Sequence, residues 1–195
     1  MKLYHYTPLH NYSALLQSSG ITPGDVAMPN GKLGLKHAVS LTKSKQPNLT
    51  GIPTGKRLPD DVFLRLQELG SPWDAHELIG GIAHQRDHSA VRFRVDIPPG
   101  PHLVSAREFY KTNPKILVGL EVAAVSPYGT AHMTESELDQ HIDHSASKIG
   151  KIAKDWWYYV GMIPLSFIDE VCMRQPQGFY KSVPLPAELV HARQH

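Results

Sequence analysis

Residues 90–97, Ala-Val-Arg-Phe-Arg-Val-Asp-Ile, constrain the fold more than any other stretch of the chain. Successive side chains of an extended strand point to opposite faces, so Val91, Phe93, Val95 and Ile97 share one face, and Arg92, Arg94 and Asp96 the other. Pro98-Pro-Gly-Pro101 closes the strand. Further short strands are expected at Leu3–Tyr6, Ala38–Thr42, Trp156–Val160, Ile168–Met173 and Phe179–Val183. Between them lie helical patterns. Thr7 offers an N-cap and Pro8 a first helical position, followed by an apolar face of Leu9, Tyr12, Leu15 and Leu16 that Gly20 ends. Residues 61–69 read as a helix stopped by Gly70. Thr134-Glu-Ser-Glu137 is a capping box. It opens a helix to about Lys154, with Leu138, Ile142, Ala146, Ile149 and Ile152 or Ala153 on one stripe. Lys115–Val125 is an apolar run that fits strand or helix, and residues 71–89 fit no clear element. Strands and helices do not alternate as βαβ units, so the fold class is α+β.

The length, 195 residues, suits one domain spanning 1–195. Residues 43–61 form a possible inserted or lid region and 134–154 a helical segment. With 41% hydrophobic and 19% charged residues the chain belongs among soluble globular proteins. One cysteine, Cys172, rules out an internal disulfide and suits a reducing, cytoplasmic setting; a buried, inert thiol is its expected state. No stretch is apolar enough for a membrane span. The net charge of +2 neither announces nor excludes a nucleic-acid partner.

Several chemistries can be weighed on residue spacing. His84 and His88, and His141 and His144, would share helix faces, but no HExxH motif accompanies them, so no metal is expected. A two-histidine phosphoesterase needs a pair of H-x-T strands. His5-Tyr-Thr7 qualifies, whereas His132-Met-Thr134 has its threonine committed to a helix cap. Lys43, Lys45, Lys56 and Arg57 lie in a long proline-rich loop and would touch the phosphates of a substrate. Trp156, Trp157, Tyr158 and Tyr159 alternate along a strand, so one pair fills the core and the other faces a cleft or a neighbour. His5 sits where a strand gives way to a helix, a common place for ligands.

Four stretches occur in order: Leu3-Tyr-His5-Tyr-Thr7, Gly24-Asp-Val26, Ala38-Val-Ser-Leu-Thr42 and Trp157-Tyr-Tyr-Val-Gly-Met-Ile-Pro164. Together they resemble the ADP-ribosyltransferase superfamily, in particular small bacterial and phage members and, more distantly, DNA-modifying toxins of the DarT type. The resemblance implies a split β-sandwich clasping NAD as co-substrate. It implies that His5, Tyr6 and Thr7 hold the adenosine side, that Ser40 or Thr42 stands near the nicotinamide ribose, and that Tyr158 packs on the nicotinamide ring. Many relatives carry a Glu on the late strand. This chain has Asp155-Trp-Trp157 there, which leaves Asp155, or Glu121 in Ile-Leu-Val-Gly-Leu-Glu121, as the catalytic carboxylate.

The activity implied is NAD-dependent mono-ADP-ribosyl transfer to a nucleic-acid base or a protein side chain, by a toxin, defence protein or phage host-modifying factor. An antitoxin or immunity partner would accompany it. The missing Glu keeps open a non-catalytic NAD- or ADP-ribose-binding module, and His5 keeps open a histidine-based phosphotransferase or phosphodiesterase.

Overall fold

The computed structural model describes residues 1–27, 33–47, 50–70, 76–145 and 150–192, without the side chains of 25–27, 33–37 and 143–145. In chain order its elements are β1 (Lys2–Thr7), α1 (Leu9–Gln17), β2 (Gly20–Ile21), β3 (Gly24–Ala27), β4 (Leu33–Thr42), α2 (Asp60–Glu68), β5 (His76–Ile79), β6 (Ile82–Gln85), β7 (Val91–Asp96), β8 (Leu103–Ser105), α3 (Ala106–Phe109), α4 (Pro114–Val125), α5 (Glu135–Ser145), β9 (Trp156–Val160), β10 (Ile163–Pro164), β11 (Ile168–Arg174), β12 (Tyr180–Val183) and α6 (Ala187–Ala192). The fold is α+β, built on a large antiparallel sheet in the order β12-β11-β7-β1-β4-β9-β8, with β3 also on β4. β2 pairs with β10, and β5 with β6. No described helix is long and apolar enough to cross a membrane.

Alternation decides which face each strand buries. Leu3, Val39, Leu41, Phe93, Val95, Ile168 and Val171 fill one face, where Leu15 of α1 and Leu189 of α6 cover them. Ala38, Trp156 and Tyr158 fill the other, against Ala106 and Tyr110. Strand β7 is buried on both sides. Val91, Phe93 and Val95 are fully buried, and Arg92 is buried too, between the rings of Tyr4 (5.1 Å) and Tyr180 (4.6 Å). A smaller cluster of Leu58, Leu66 and Ala83 joins α2 to the β5–β6 hairpin.

Some boundaries differ from expectation. Thr7 stays in β1, buried; Pro8 takes the cap position and the helix starts at Leu9, whose side chain is exposed. Gly20 does not stop α1. It belongs to β2, where an added Cβ would collide with the Ile163 carbonyl oxygen, so glycine is required by the close approach of β10. The apolar run 115–125 is helix, opened by Pro114. α5 has its capping box, with the Thr134 N–H donating to the Glu137 carboxylate at 2.7 Å and the Glu137 N–H donating to Thr134 Oγ1 at 3.3 Å. Its described residues are 135–145: Ile152 and Ala153 lie in a separate turn, and the expected stripe positions Ala146 and Ile149 are outside the described residues. Residues 76–85 form a hairpin that turns on Gly80 and Gly81, both at positive φ.

Candidate functional site

The sheet is split at one place. Along one edge, β4 is paired with β9 from Ala38↔Val160 to Thr42↔Trp156. Its other edge is shared: β3 pairs at Ala38 (with Gly24) and β1 pairs only at Thr42 (with Tyr4). Beyond Tyr4, β1 leaves β4 and continues along β7 alone, with His5↔Phe93, Tyr6↔Arg92 and Thr7↔Val91. Residues 39–41 of β4 therefore face β1 across a gap rather than a ladder. A backbone carbonyl released from a ladder needs another donor. For Ser40 that donor is the His5 ring, whose Nδ1 lies 3.1 Å from the carbonyl oxygen.

This contact fixes the ring's chemistry. A carbonyl only accepts, so Nδ1 carries the proton. Burial lowers the His5 pKa, more than the Ser40 carbonyl raises it. The neutral ring then presents Nε2 as an acceptor. His5 also stacks on Phe93, with ring centroids 6.4 Å apart.

Two chambers meet at the gap. One, about 400 Å³, lies between the β1 and β4 strand ends and the strap formed by residues 50–53, with Trp156, Tyr158 and Leu120 on its walls. The other, about 650 Å³, lies against α1 and the β2–β3 turn. Both volumes fall within the roughly 300–1,000 Å³ typical of small-molecule sites. The residues common to both are His5, Tyr6, Ser40 and His88.

His88 is the residue that sequence reasoning missed. It was expected on a helix face with His84. Instead His84 lies on strand β6, with Nδ1 3.2 Å from the Gly55 carbonyl, and His88 lies in the turn before β7. That turn is held from all sides. Asp87 Oδ1 accepts from the Ser89 N–H (2.8 Å) and hydroxyl (2.7 Å). The Tyr180 hydroxyl donates to the Ser89 carbonyl (2.6 Å). Arg174 Nη1 donates to Ser89 Oγ (3.1 Å) and to the Thr54 carbonyl (2.9 Å), and the His88 N–H donates to the Pro53 carbonyl (3.0 Å). The same bonds fasten the strap over the first chamber. Its other root is fastened by Arg92 Nη1 on the Lys45 carbonyl (2.6 Å) and the Tyr6 hydroxyl on the Ser44 carbonyl (3.0 Å).

The remaining expected site residues are placed as follows. Thr7 lines the larger chamber; Thr42 lines the smaller one, buried, its Oγ1 accepting from the Ser44 N–H (3.0 Å). Tyr158 lines the smaller chamber while its ring packs on Phe109 (4.6 Å), and its hydroxyl accepts from Tyr110 (3.3 Å); burial raises its pKa. Lys43, Lys45, Lys56 and Arg57 are exposed, and Lys43 stands over the Trp157 ring at 5.4 Å. The threonine of His132-Met-Thr134 is taken up by the cap, so the two H-x-T stretches do not form a matched pair of strands. Cys172 is buried, its pKa raised by burial, with Arg92 Nη2 at 3.1 Å from Sγ.

The two expected carboxylates lie away from the chambers. Glu121 is buried and both its oxygens are used: Oε2 accepts from the Gly150 N–H (2.6 Å), and Oε1 from Ile152 (3.1 Å) and Ala153 (2.7 Å). It holds the connection into β9 and does not enter either chamber. Asp155 ends the short turn before β9, with its backbone carbonyl taking the Lys43 N–H; it also lines neither chamber. Among residues whose side chains are described, no Asp or Glu lines either chamber, and no cluster fit for a metal ion occurs. Asp25, in one of the ordered motifs, and His144 have side chains outside the description. Compared with family models, curated proteins and solved structures, the chain matches none.

Proposed function

We propose that the chain is an NAD-dependent mono-ADP-ribosyltransferase with the superfamily's split β-sandwich, acting in the cytoplasm on a nucleic-acid base or a protein side chain. One observation carries the reading: the His5 ring stands in the split of the sheet, tied to the Ser40 carbonyl, with a chamber on either side. Two chambers meeting at one narrow point suit a ligand made of two ring systems joined by a linker, which is the shape of a dinucleotide. Neutral His5 with Nε2 as acceptor suits a ribose hydroxyl, which donates. Trp156 and Tyr158, both largely buried, supply apolar wall to the smaller chamber, against which a base or nicotinamide would rest. The exposed Lys43 and Lys45 at the root of the strap supply positive charge for a phosphate-bearing acceptor.

In such a transfer the bond from ribose C1′ to the nicotinamide nitrogen breaks. Its electron pair neutralises the pyridinium, and the ribose passes through an oxocarbenium-like state. Rate then depends on holding that state better than the ground state. A toxin or phage factor of this kind would meet an antitoxin or immunity partner.

A second reading has its own observation. With no described carboxylate on the chamber walls, a module that binds NAD or ADP-ribose without turnover fits the same cleft. Incubation with NAD separates the two: the transferase reading expects nicotinamide release and a mass gain of one ADP-ribose on DNA, RNA or protein offered as acceptor. Binding without release supports the module, and neither binding nor release contradicts both.

A further inference from the structure

We propose that a third cavity, behind the strap, is a binding site for a small organic anion with one flat ring, separate from the two chambers. The site goes beyond the transferase reading and does not depend on it. The cavity, about 260 Å³, lies between residues 51–53 of the strap, the segment 54–58 with β6, and the end of α4 with the turn that follows. Gly51, Ile52, Pro53 and Ala123 border both this cavity and the smaller chamber, so the strap is the partition between them. His5 and Ser40 are not on its walls. The volume falls a little below the roughly 300–1,000 Å³ of drug-sized ligands, which suits one ring system rather than a dinucleotide.

The walls are firmly held. The Leu58 N–H donates to the Ala83 carbonyl (2.8 Å), the Gln85 N–H to the Lys56 carbonyl (2.8 Å) and the Gly129 N–H to the Ser126 carbonyl (3.2 Å). Arg174 Nη1 holds the Thr54 carbonyl (2.9 Å). The floor is apolar: Leu58 and Leu66 are buried, and Tyr128 packs on their cluster. Such a surface favours the face of a flat ring. Lys56, which is exposed, is the one charged residue among the described walls. The side chains of Lys56, Thr54, Gln85 and Tyr128 make no hydrogen bond or ion pair with any described residue, and their polar ends are open to water. Ser126 differs: its Oγ donates to the Val122 carbonyl (2.9 Å) and lies 3.0 Å from His141 Nε2, so it is already committed. An apolar floor with a few uncommitted polar groups is the composition of a ligand pocket. The Lys56 ammonium suits a carboxylate or phosphate. The Gln85 amide, which both donates and accepts, suits the polar edge of a heterocycle such as a pyrimidine.

The probe is orotate, a pyrimidine that carries a carboxylate. It is compared with uracil, the same ring without the charge, and with benzoate, a charged ring without the polar edge. Each is titrated to millimolar concentration into the isotope-labelled full chain, and backbone amide shifts are followed by NMR. Orotate is expected to shift Gln85 and Gly129, which line the cavity, and to leave Thr7 and Ser40, on the chamber walls, in place. Uracil and benzoate are each expected to bind about fivefold more weakly or worse. Lys56→Gln, an exposed change that the fold tolerates, should weaken orotate about fivefold and leave uracil unchanged. Ala131→Phe, at an exposed position on the rim, should abolish the shift at Gln85, and His5→Ala should not alter it. No shift with orotate overturns the assignment. So do shifts confined to Thr7 and Ser40, equal affinity for orotate and uracil, or undiminished binding in Ala131→Phe. None of these results bears on nicotinamide release from NAD, so the transferase reading stands or falls separately.

Discussion

Strand β1 borders two different structures. Against β7 it is paired at every residue from Lys2 to Thr7; against β4 it is paired at Tyr4 alone. The first border is closed and holds Phe93 and Val95 in the core. The second is open and holds His5, Ser40 and the two chambers. The closed border uses its backbone groups on itself. The open one frees a carbonyl, fills the position with a histidine ring, and leaves space for a ligand. A sheet can thus carry a cleft in its middle without an inserted domain, provided that flanking bonds hold the divergent strands. Arg92 and Arg174 are central here, because they fasten both roots of the strap that covers the gap.

The sharpest way to break this comparison is Phe93→Ala at the closed border. Removing a fully buried ring is expected to cost about 3–5 kcal/mol, read as a fall in Tm of roughly 10 °C. Ser40→Ala at the open border is expected to stay within about 0.5 kcal/mol, since its side chain is exposed and its carbonyl bond is kept. Equal losses at the two positions would mean that the border at Ser40 is packed, not open. Away from both borders, Thr134→Ala removes the α5 cap and is expected to cost about 1 kcal/mol by denaturant titration, with no effect on ligand binding.

The smallest effect is the pH dependence. Burial holds the folded-state pKa of His5 below its unfolded value of about 6.5. The unfolded chain therefore binds the extra proton first as pH falls. The stability from this group is present above about pH 6.5 and is lost as pH drops through that value toward the folded pKa. His132, also lowered chiefly by burial, acts in the same direction. Thermal melts at pH 7.5 and 5.5 should show the drop, and His5→Gln should reduce it; a drop unchanged in that variant would place the titration elsewhere.

Much of the closed half was legible in the sequence. Strict alternation in 90–97 marked β7, and the Thr134–Glu137 pair marked the start of α5, because both are local signals. Glu121 shows what local reading does not reach. A carboxylate in an apolar run looks functional, yet Glu121 serves three backbone N–H groups some thirty residues away. The Gly80-Gly81 turn was a usable hairpin signal that went unread. The split itself depends on which strand pairs with which, and no short stretch encodes that. His88 was hidden for the same reason: its place follows from the β1–β7 register and from Arg174, a residue 86 positions later.

The most direct test of the open border as a dinucleotide site is calorimetric titration of NAD into the unaltered protein and into His5→Ala. Binding to the first, weakened by about tenfold or more in the second at nearly unchanged Tm, is the expected result. Equal affinity in both, or no heat of binding in the unaltered protein, would contradict it.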